Sequence, residues 1–90
     1  MKETTVLKKN KNLLMREIED ETILVPFKGE LDYIYTLNPT GAAIWKIING
    51  KKTVGQIKKA LAKKTGFTTE DISKDVDFFL SELKQAKAVR

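Results

Sequence analysis

The sequence contains no cysteine and no histidine among its 90 residues. Without cysteine, the chain has no thiolate nucleophile, no disulfide and no ligand for an iron–sulfur cluster. Without histidine, it lacks the commonest general base and the commonest metal ligand of proteins. Catalysis by carboxylates or lysine alone requires a deep pocket that shifts their pKa values, and a chain this short rarely encloses one. We therefore predict a protein that is not an enzyme and that uses no metal and no cofactor.

Long apolar runs are also missing. The longest, residues 22–27, is far shorter than the roughly 20 residues that a membrane-spanning helix needs. The first five residues are not followed by the apolar core and small-residue cleavage site of a signal peptide. We therefore expect a cytoplasmic protein with no membrane partner.

The composition is that of one small globular domain with a polar beginning. Hydrophobic residues make up 41% of the chain and charged residues 32%, which argues against wholesale disorder. Residues 1–12 (the N-terminal arm) are polar and rich in lysine, and only Val6 and Leu7 could pair with another segment, so we predict a flexible arm there or, alternatively, a weak edge strand. Residues 13–90 then form the folded domain.

The first half of the domain has the pattern of β-strands. Residues 13–18 and 22–27 are separated by a short acidic segment, which predicts a hairpin, and Pro26 is expected at the end of its strand. Residues 31–37 alternate and predict a third strand. The side chains that share one face of this strand are Leu31, Tyr33, Tyr35 and Leu37.

The second half has the signals of three helices. Asn38 is a plausible N-cap before Pro39, Thr53 is expected to cap a second helix that ends at Gly66, and Thr68 or Thr69 opens a third. The order predicts an α+β fold, in which a three-stranded antiparallel sheet is followed by a three-helix bundle. The short connections between the helices allow a winged helix-turn-helix-like arrangement.

The third predicted helix presents two neighbouring stripes of side chains. At about 100° per residue, the apolar stripe that should face the core consists of Ile72, Val76, Phe79, Leu80 and Leu83. Beside it, Phe78 shares a second stripe with three carboxylates, namely Asp71, Asp75 and Glu82. This stripe would suit a ligand with an apolar anchor and a basic residue. Alternatively, Phe78 packs on the N-terminal arm or the sheet, and the carboxylates only keep the helix soluble.

Three segments of the chain, taken in order, resemble the PqqD family. Residues 37–45, LNPTGAAIW, are similar to the family's signature L-N-x-T-G-x-x-I-W. Asn49 and Gly50, followed by the Thr53–Val54 pair and Ile57, resemble its segment D-G-x-x-T-V-x-x-I. In the third helix, Asp75, Val76, Phe78, Phe79, Leu80 and Leu83 resemble the pattern D-V-x-x-F-L-x-x-L. The chain departs from the family by having Asn49 where aspartate is frequent.

This resemblance implies a peptide chaperone. Such domains hold the leader of a ribosomally made precursor peptide and present its core to a modifying enzyme, here expected to be a radical SAM or cyclising enzyme. In the family, the leader adds as a strand to the edge of the third strand, in a cleft shared with the third helix. The residues of this chain that the resemblance places there are Leu31, Asp32, Tyr33, Ile34, Tyr35, Thr36, Leu37, Asp71, Asp75, Phe78, Phe79 and Glu82.

The edge of the third strand is open to more than one interpretation. Residues 31–36 contain no proline and a single charge, Asp32, so nothing in them prevents pairing with another strand. Three interpretations follow for this edge. It binds a peptide, it is covered by the molecule's own helix or arm, or it pairs with a second copy of the chain to give a homodimer.

Lysines on the second helix support two further hypotheses. Their number favours a winged-helix nucleic-acid-binding protein as the alternative function. The acidic third helix would repel phosphates, however, so nucleic acid is not the expected partner. The same lysines could dock the modifying enzyme, and the residues chosen for this role are Lys58, Lys59 and Lys63.

Overall fold

The computed structural model describes residues 2–26 and 34–90. In these residues a three-stranded sheet precedes three helices: β1 (Leu13–Ile18), β2 (Glu21–Pro26), β3 (Tyr35–Leu37), α1 (Pro39–Ile47), α2 (Val54–Thr65) and α3 (Thr69–Gln85). The predicted α+β order, an antiparallel sheet followed by helices, is confirmed. No helix within these ranges has both the length and the apolar character required to cross a membrane.

The sheet has the strand order β1-β2-β3, with β2 in the centre. Met15 of β1 and Tyr35 of β3 both lie opposite Leu24 of β2, in antiparallel register. β2 ends at Pro26, as expected for a residue that has no N–H to donate. β3 is shorter than the predicted strand, because Ile34 is not part of it and residues 31–33 lie outside the described residues.

Each helix is preceded by a residue whose side chain accepts a hydrogen bond from a backbone N–H of the first helical turn. The Asn38 side chain accepts a hydrogen bond from a backbone N–H at the start of α1, and Pro39 is the first helical residue. Thr53 and Thr68 each form a capping box at the starts of α2 and α3. Gly66 ends α2 with a φ of 83°, in the left-handed region that glycine adopts without strain. All four positions agree with the sequence-based predictions.

The core lies between the inner face of the sheet and the three helices. Trp45 of α1 is part of this core and is 3% exposed. Trp45 belongs to one buried cluster of side chains from the helices and strands. Its other members include Leu24, Leu37, Ile44, Ile48, Val54, Ile57, Leu61, Val76, Leu80 and Leu83. Lys9 Nζ lies 5.2 Å from the centre of the Trp45 ring, where a cation is attracted by the ring's negative face.

Residues 2–12 of the N-terminal arm pack against the rest of the domain. Leu7 belongs to the core cluster and is 1% exposed. The backbone groups of Lys8 and Arg90 exchange two hydrogen bonds, of 3.2 and 2.9 Å, and Val6 forms an antiparallel bridge with Thr53. One buried leucine and backbone pairing with distant segments therefore connect the N-terminal arm to the domain. The flexibility expected from its polar composition stays a prediction.

Lys58 of α2 links the N-terminal arm to α3. Its side chain is buried, and its ammonium group lies 2.8 Å from a Glu3 carboxylate oxygen and 2.9 Å from Asp77 Oδ1. It also donates a hydrogen bond of 2.8 Å to the Ser73 hydroxyl. Burial alone would lower the pKa of Lys58, but the Glu3 and Asp77 carboxylates outweigh burial and raise this pKa above its ordinary value of 10.5.

Replacing Lys58 by alanine should lower the free energy of unfolding by about 1–3 kcal/mol, because Asp77 Oδ1 is buried and would lose its cation. The pKa of Lys58 is higher in the folded state than in the unfolded state. The stability that protonated Lys58 contributes is therefore complete below the unfolded pKa, and it declines as pH rises through the folded pKa. Urea unfolding at neutral pH and near pH 11 measures both effects. Lys59→Ala, at an exposed neighbour, is the control and should change stability by no more than about 0.5 kcal/mol; equal losses in the two variants would contradict this prediction.

Candidate functional site

A cleft of about 460 Å³ lies between β3, the start of α1, the end of α2 and one side of α3. The sheet side contributes Tyr35 and Thr36, and α3 contributes both aromatic and acidic side chains. The lining residues described in the structure are Tyr35, Thr36, Asn38, Thr40, Gly41, Ile44, Leu61, Thr65, Phe67, Ile72, Asp75, Val76, Phe78, Phe79 and Glu82. The cleft therefore joins β3 and α3, the two elements from which the sequence predicted a binding site.

The α3 wall of the cleft contains four of the predicted site residues: Asp75, Phe78, Phe79 and Glu82. They lie within two turns of one helix, which brings them to the same side. Phe78 is 68% exposed, whereas Phe79 is half-buried against the core. The alternative in which Phe78 packs on the N-terminal arm or the sheet does not fit this exposure. The wall thus has a packed aromatic base and an aromatic side chain open to solvent.

A hydrogen bond connects the two sides of the cleft. The Tyr35 hydroxyl donates to Glu82 Oε2 at 2.9 Å, which joins β3 to the last turns of α3. Hydrogen bonds to a charged group are stronger than neutral ones, so this contact holds the Glu82 carboxylate in a defined position. This hydrogen bond therefore links two residues that were predicted separately, one from the strand and one from the helix.

Gly41 allows α1 to approach α3 closely at the base of the cleft. A Cβ atom on Gly41 would lie 3.0 Å from the Phe79 ring and 3.3 Å from Asn38 Oδ1, closer than ordinary van der Waals contacts. The Asn38 side chain meanwhile accepts a 2.7 Å hydrogen bond from the Gly41 N–H. Helix capping therefore accounts for Asn38, and the close packing of Phe79 accounts for Gly41.

The remaining predicted peptide-binding residues have other positions. The carboxylate of Asp71 accepts from the Thr68 N–H in the capping box of α3, and Asp71 does not line the cleft. Leu37 is a buried core residue, and the exposed Ile34 lies beside β3 without lining the cleft. The predictions for Leu31, Asp32 and Tyr33 fall outside the described residues.

Phe67, in the short connection between α2 and α3, is a lining residue that the sequence patterns do not predict. This side chain is 61% exposed and lines the cleft together with Thr65 of α2 and Ile72 of α3. The sequence does contain a signal for this residue. An aromatic side chain directly after a helix-ending glycine lies in a connection, where no strand or helix buries it, and is therefore expected at the surface. Phe67 and Phe78 give the cleft two exposed aromatic side chains.

The cleft differs in charge from the chain as a whole. The chain has a formal net charge of +5, yet the charged side chains among the described lining residues are the two carboxylates Asp75 and Glu82. Within residues 2–26 and 34–90 there is no group of three or more acidic side chains placed to hold a metal ion. The arrangement therefore offers apolar contact and negative charge at the surface.

The lysines of α2 do not form one continuous exposed set. Lys59 and Lys63 are exposed, whereas Lys58 is 3% exposed and its ammonium group is bound to carboxylates from two other segments. The inclusion of Lys58 in an enzyme-docking surface is therefore wrong, because its charge is already neutralised inside the domain. Docking through Lys59 and Lys63 stays a prediction.

A comparison with protein families gives one match. The family model described as coenzyme PQQ synthesis protein D (PqqD) matches residues 21–89. The match runs from the first residue of β2 to Val89, which forms a β-bridge with Lys9. Searches of curated proteins and of solved structures gave no match. Because the family match covers well over half of the chain, the protein belongs to the PqqD family, and this membership supports an accessory role in the biosynthesis of PQQ or of other ribosomally made, modified peptides.

Proposed function

We propose that the protein binds the leader segment of a ribosomally made precursor peptide in the cleft between β3 and α3, and presents the core of that peptide to a modifying enzyme. The observation that carries the proposal is the position of the cleft, which has residues of a sheet edge on one side and exposed aromatic side chains on the other. Each side has a separate role in binding an extended peptide.

The sheet edge supplies backbone hydrogen bonds. β3 stands at one end of the strand order β1-β2-β3 in the described part of the chain. A peptide can add to the edge of a sheet as a further strand through backbone N–H and C=O groups. Tyr35 and Thr36 line the cleft, so a strand added here would lie beside α3. Backbone pairing binds extended peptides without regard to their sequence, and selectivity then comes from neighbouring side chains.

The α3 wall supplies contacts with peptide side chains. Phe78 and Phe67 are exposed without a ligand, and buried aromatic anchors contribute most of the affinity in many interfaces. From Ile72 to Glu82 the wall is about 15 Å long, because a helix rises about 1.5 Å per residue. About four or five residues of an extended strand cover that length. The cleft therefore fits a short recognition segment of a leader.

The protein's part in this process is binding, and the chemistry belongs to a partner. The chain has no cysteine or histidine with which to perform it. A radical SAM or cyclising enzyme is the proposed partner, and the exposed Lys59 and Lys63 are its proposed docking residues. A second copy of the chain could also pair along the edge of β3, in competition with the peptide.

Titration of the isotope-labelled protein with a synthetic peptide tests this function. The probe is the leader region of a candidate precursor, chosen by searching for a short open reading frame beside the gene for this chain, and a scrambled leader is the control. We expect amide shifts at residues 34–37 and 72–82, with saturation, and none with the scrambled peptide. Shifts centred on Lys59 and Lys63, or identical shifts with both peptides, would contradict the proposal.

A further inference from the structure

Resting on the proposed function, we infer that the cleft selects leader strands that carry a lysine or arginine two positions from an apolar anchor residue. The inference concerns the chemistry of the ligand. It depends on the charge of the cleft, on the state of its two carboxylates and on the spacing between carboxylate and aromatic side chains along α3.

The charge of the cleft is opposite to that of the chain. Lysine and arginine number 17 against 12 acidic residues, but no lysine or arginine is found among the described residues that line the cleft. Asp75 and Glu82 are the charged groups there. A surface that follows the average composition would present more cations than anions. The cleft therefore attracts a cationic side chain and repels an acidic one.

Both carboxylates have capacity for a ligand. Within residues 2–26 and 34–90 the Asp75 carboxylate has no hydrogen-bond or ion-pair partner, and the residue is exposed. Glu82 accepts the Tyr35 hydroxyl at Oε2, which fixes the carboxylate, while its second oxygen retains lone pairs for another donor. A fixed acceptor loses less conformational freedom on binding than a mobile one.

The spacing along α3 gives the position of the basic residue. Phe79 follows Asp75 by four residues, one turn of helix or about 6 Å along the axis. Two residues of an extended strand cover about 6.6 Å, and side chains two positions apart share one face. A peptide strand that runs along α3 and places its apolar anchor beside Phe78 and Phe79 therefore brings the side chain two positions away to Asp75.

The expected selectivity is modest, because the carboxylates are close to solvent. An exposed ion pair typically changes affinity by about 1.5-fold to 5-fold, and the effect weakens as salt is added. The apolar anchor should contribute more to affinity than the basic residue, and the basic residue should contribute more to selectivity.

Selection from a phage-displayed library of random peptides on the immobilised full chain tests the inference. We expect enrichment of lysine or arginine two positions from an aromatic or large aliphatic residue, weaker at high salt. In Asp75→Lys the same selection should favour aspartate or glutamate at that position, or lose the charge preference. Asp20→Lys makes the same change in net charge in the β1–β2 turn, outside the cleft, and should leave the preference unchanged.

The outcomes separate this inference from the proposed function. Enriched peptides that carry an apolar anchor but show no preference for a basic residue, or an acidic preference, would overturn the inference and leave peptide binding standing. A change of preference in Asp20→Lys equal to that in Asp75→Lys would also overturn it, since net charge alone would then explain the effect. Failure to enrich any peptide would count against both peptide binding and its selectivity.

Discussion

Replacement of Leu7 by alanine is expected to lower the free energy of unfolding by about 2–5 kcal/mol, because the variant leaves a cavity in the core. Leu7 is 1% exposed and belongs to the same buried cluster as the core side chains of the helices. Domains of this size have a total stability of about 5–15 kcal/mol, so the loss is a large fraction of it. Urea unfolding followed by the fluorescence of Trp45, the single tryptophan, measures the change.

Val6→Ala is the matched control for Leu7→Ala. Val6 precedes Leu7 in the N-terminal arm and pairs with Thr53 through its backbone, but its side chain is largely outside the core. A loss of less than about 1 kcal/mol is expected for this variant. If Leu7→Ala proved as mild as Val6→Ala, the N-terminal arm would not belong to the cooperative folded unit.

The double replacement Phe67→Ala and Phe78→Ala is expected to weaken leader binding by about 10-fold to 100-fold, because it removes both exposed aromatic side chains of the cleft. Both side chains are mostly exposed, so the free energy of unfolding should change by no more than about 0.5 kcal/mol for each. Isothermal titration calorimetry with the leader peptide, together with urea unfolding of the same samples, measures the two quantities.

A control with the same chemistry is available on the sheet. Leu14 and Ile18 are exposed apolar side chains of β1 that do not line the cleft. The double variant Leu14→Ala and Ile18→Ala should bind the leader with unchanged affinity. If it weakened binding as strongly as the aromatic variant did, the proposed position of the peptide would be wrong, and the outer face of the sheet would become the candidate surface.

Local signals in the sequence predicted most of the elements of the fold. Asn38, Thr53 and Thr68 each provide a side-chain oxygen at the start of a helix, and Gly66 ends α2 in a conformation that suits glycine. These interactions join residues a few positions apart, so they can be recognised without knowledge of the tertiary structure. The same holds for the apolar stripe of α3, whose members Val76, Leu80 and Leu83 are buried.

Interactions between distant segments could not be predicted in this way. Polar composition gave no sign that Leu7 would enter the core, because the two adjacent apolar residues Val6 and Leu7 in a polar segment have no periodicity. Lys58 looked like its exposed neighbour Lys59, since the Glu3 and Asp77 carboxylates that accommodate it come from other elements. Composition can suggest an exposed lysine helix, but only the packing shows which lysine is internal.

The candidate site was predicted in part. Asp75, Phe78, Phe79 and Glu82 were assigned to it from one helix face and from the family resemblance, and the structure brings them together with Tyr35 and Thr36. Asp71 was assigned by the same periodicity, but its position in the first turn of α3 commits its carboxylate to capping. Phe67 was missed because it lies in a connection, where periodic patterns carry no information. The nucleic-acid alternative receives no support from the family match.

Hydrogen bonds between the N-terminal arm and the last residues of the sequence affect the order in which the chain folds. The hydrogen bond from Asn10 to the Lys87 carbonyl spans 77 positions, so it closes a loop that contains most of the protein. Closing such a loop in an unfolded chain costs about 4 kcal/mol of entropy, whereas the capping boxes and the hairpin close within a few residues. The N-terminal arm should therefore dock after the sheet and helices have formed, and it should be the first segment to separate when the domain opens.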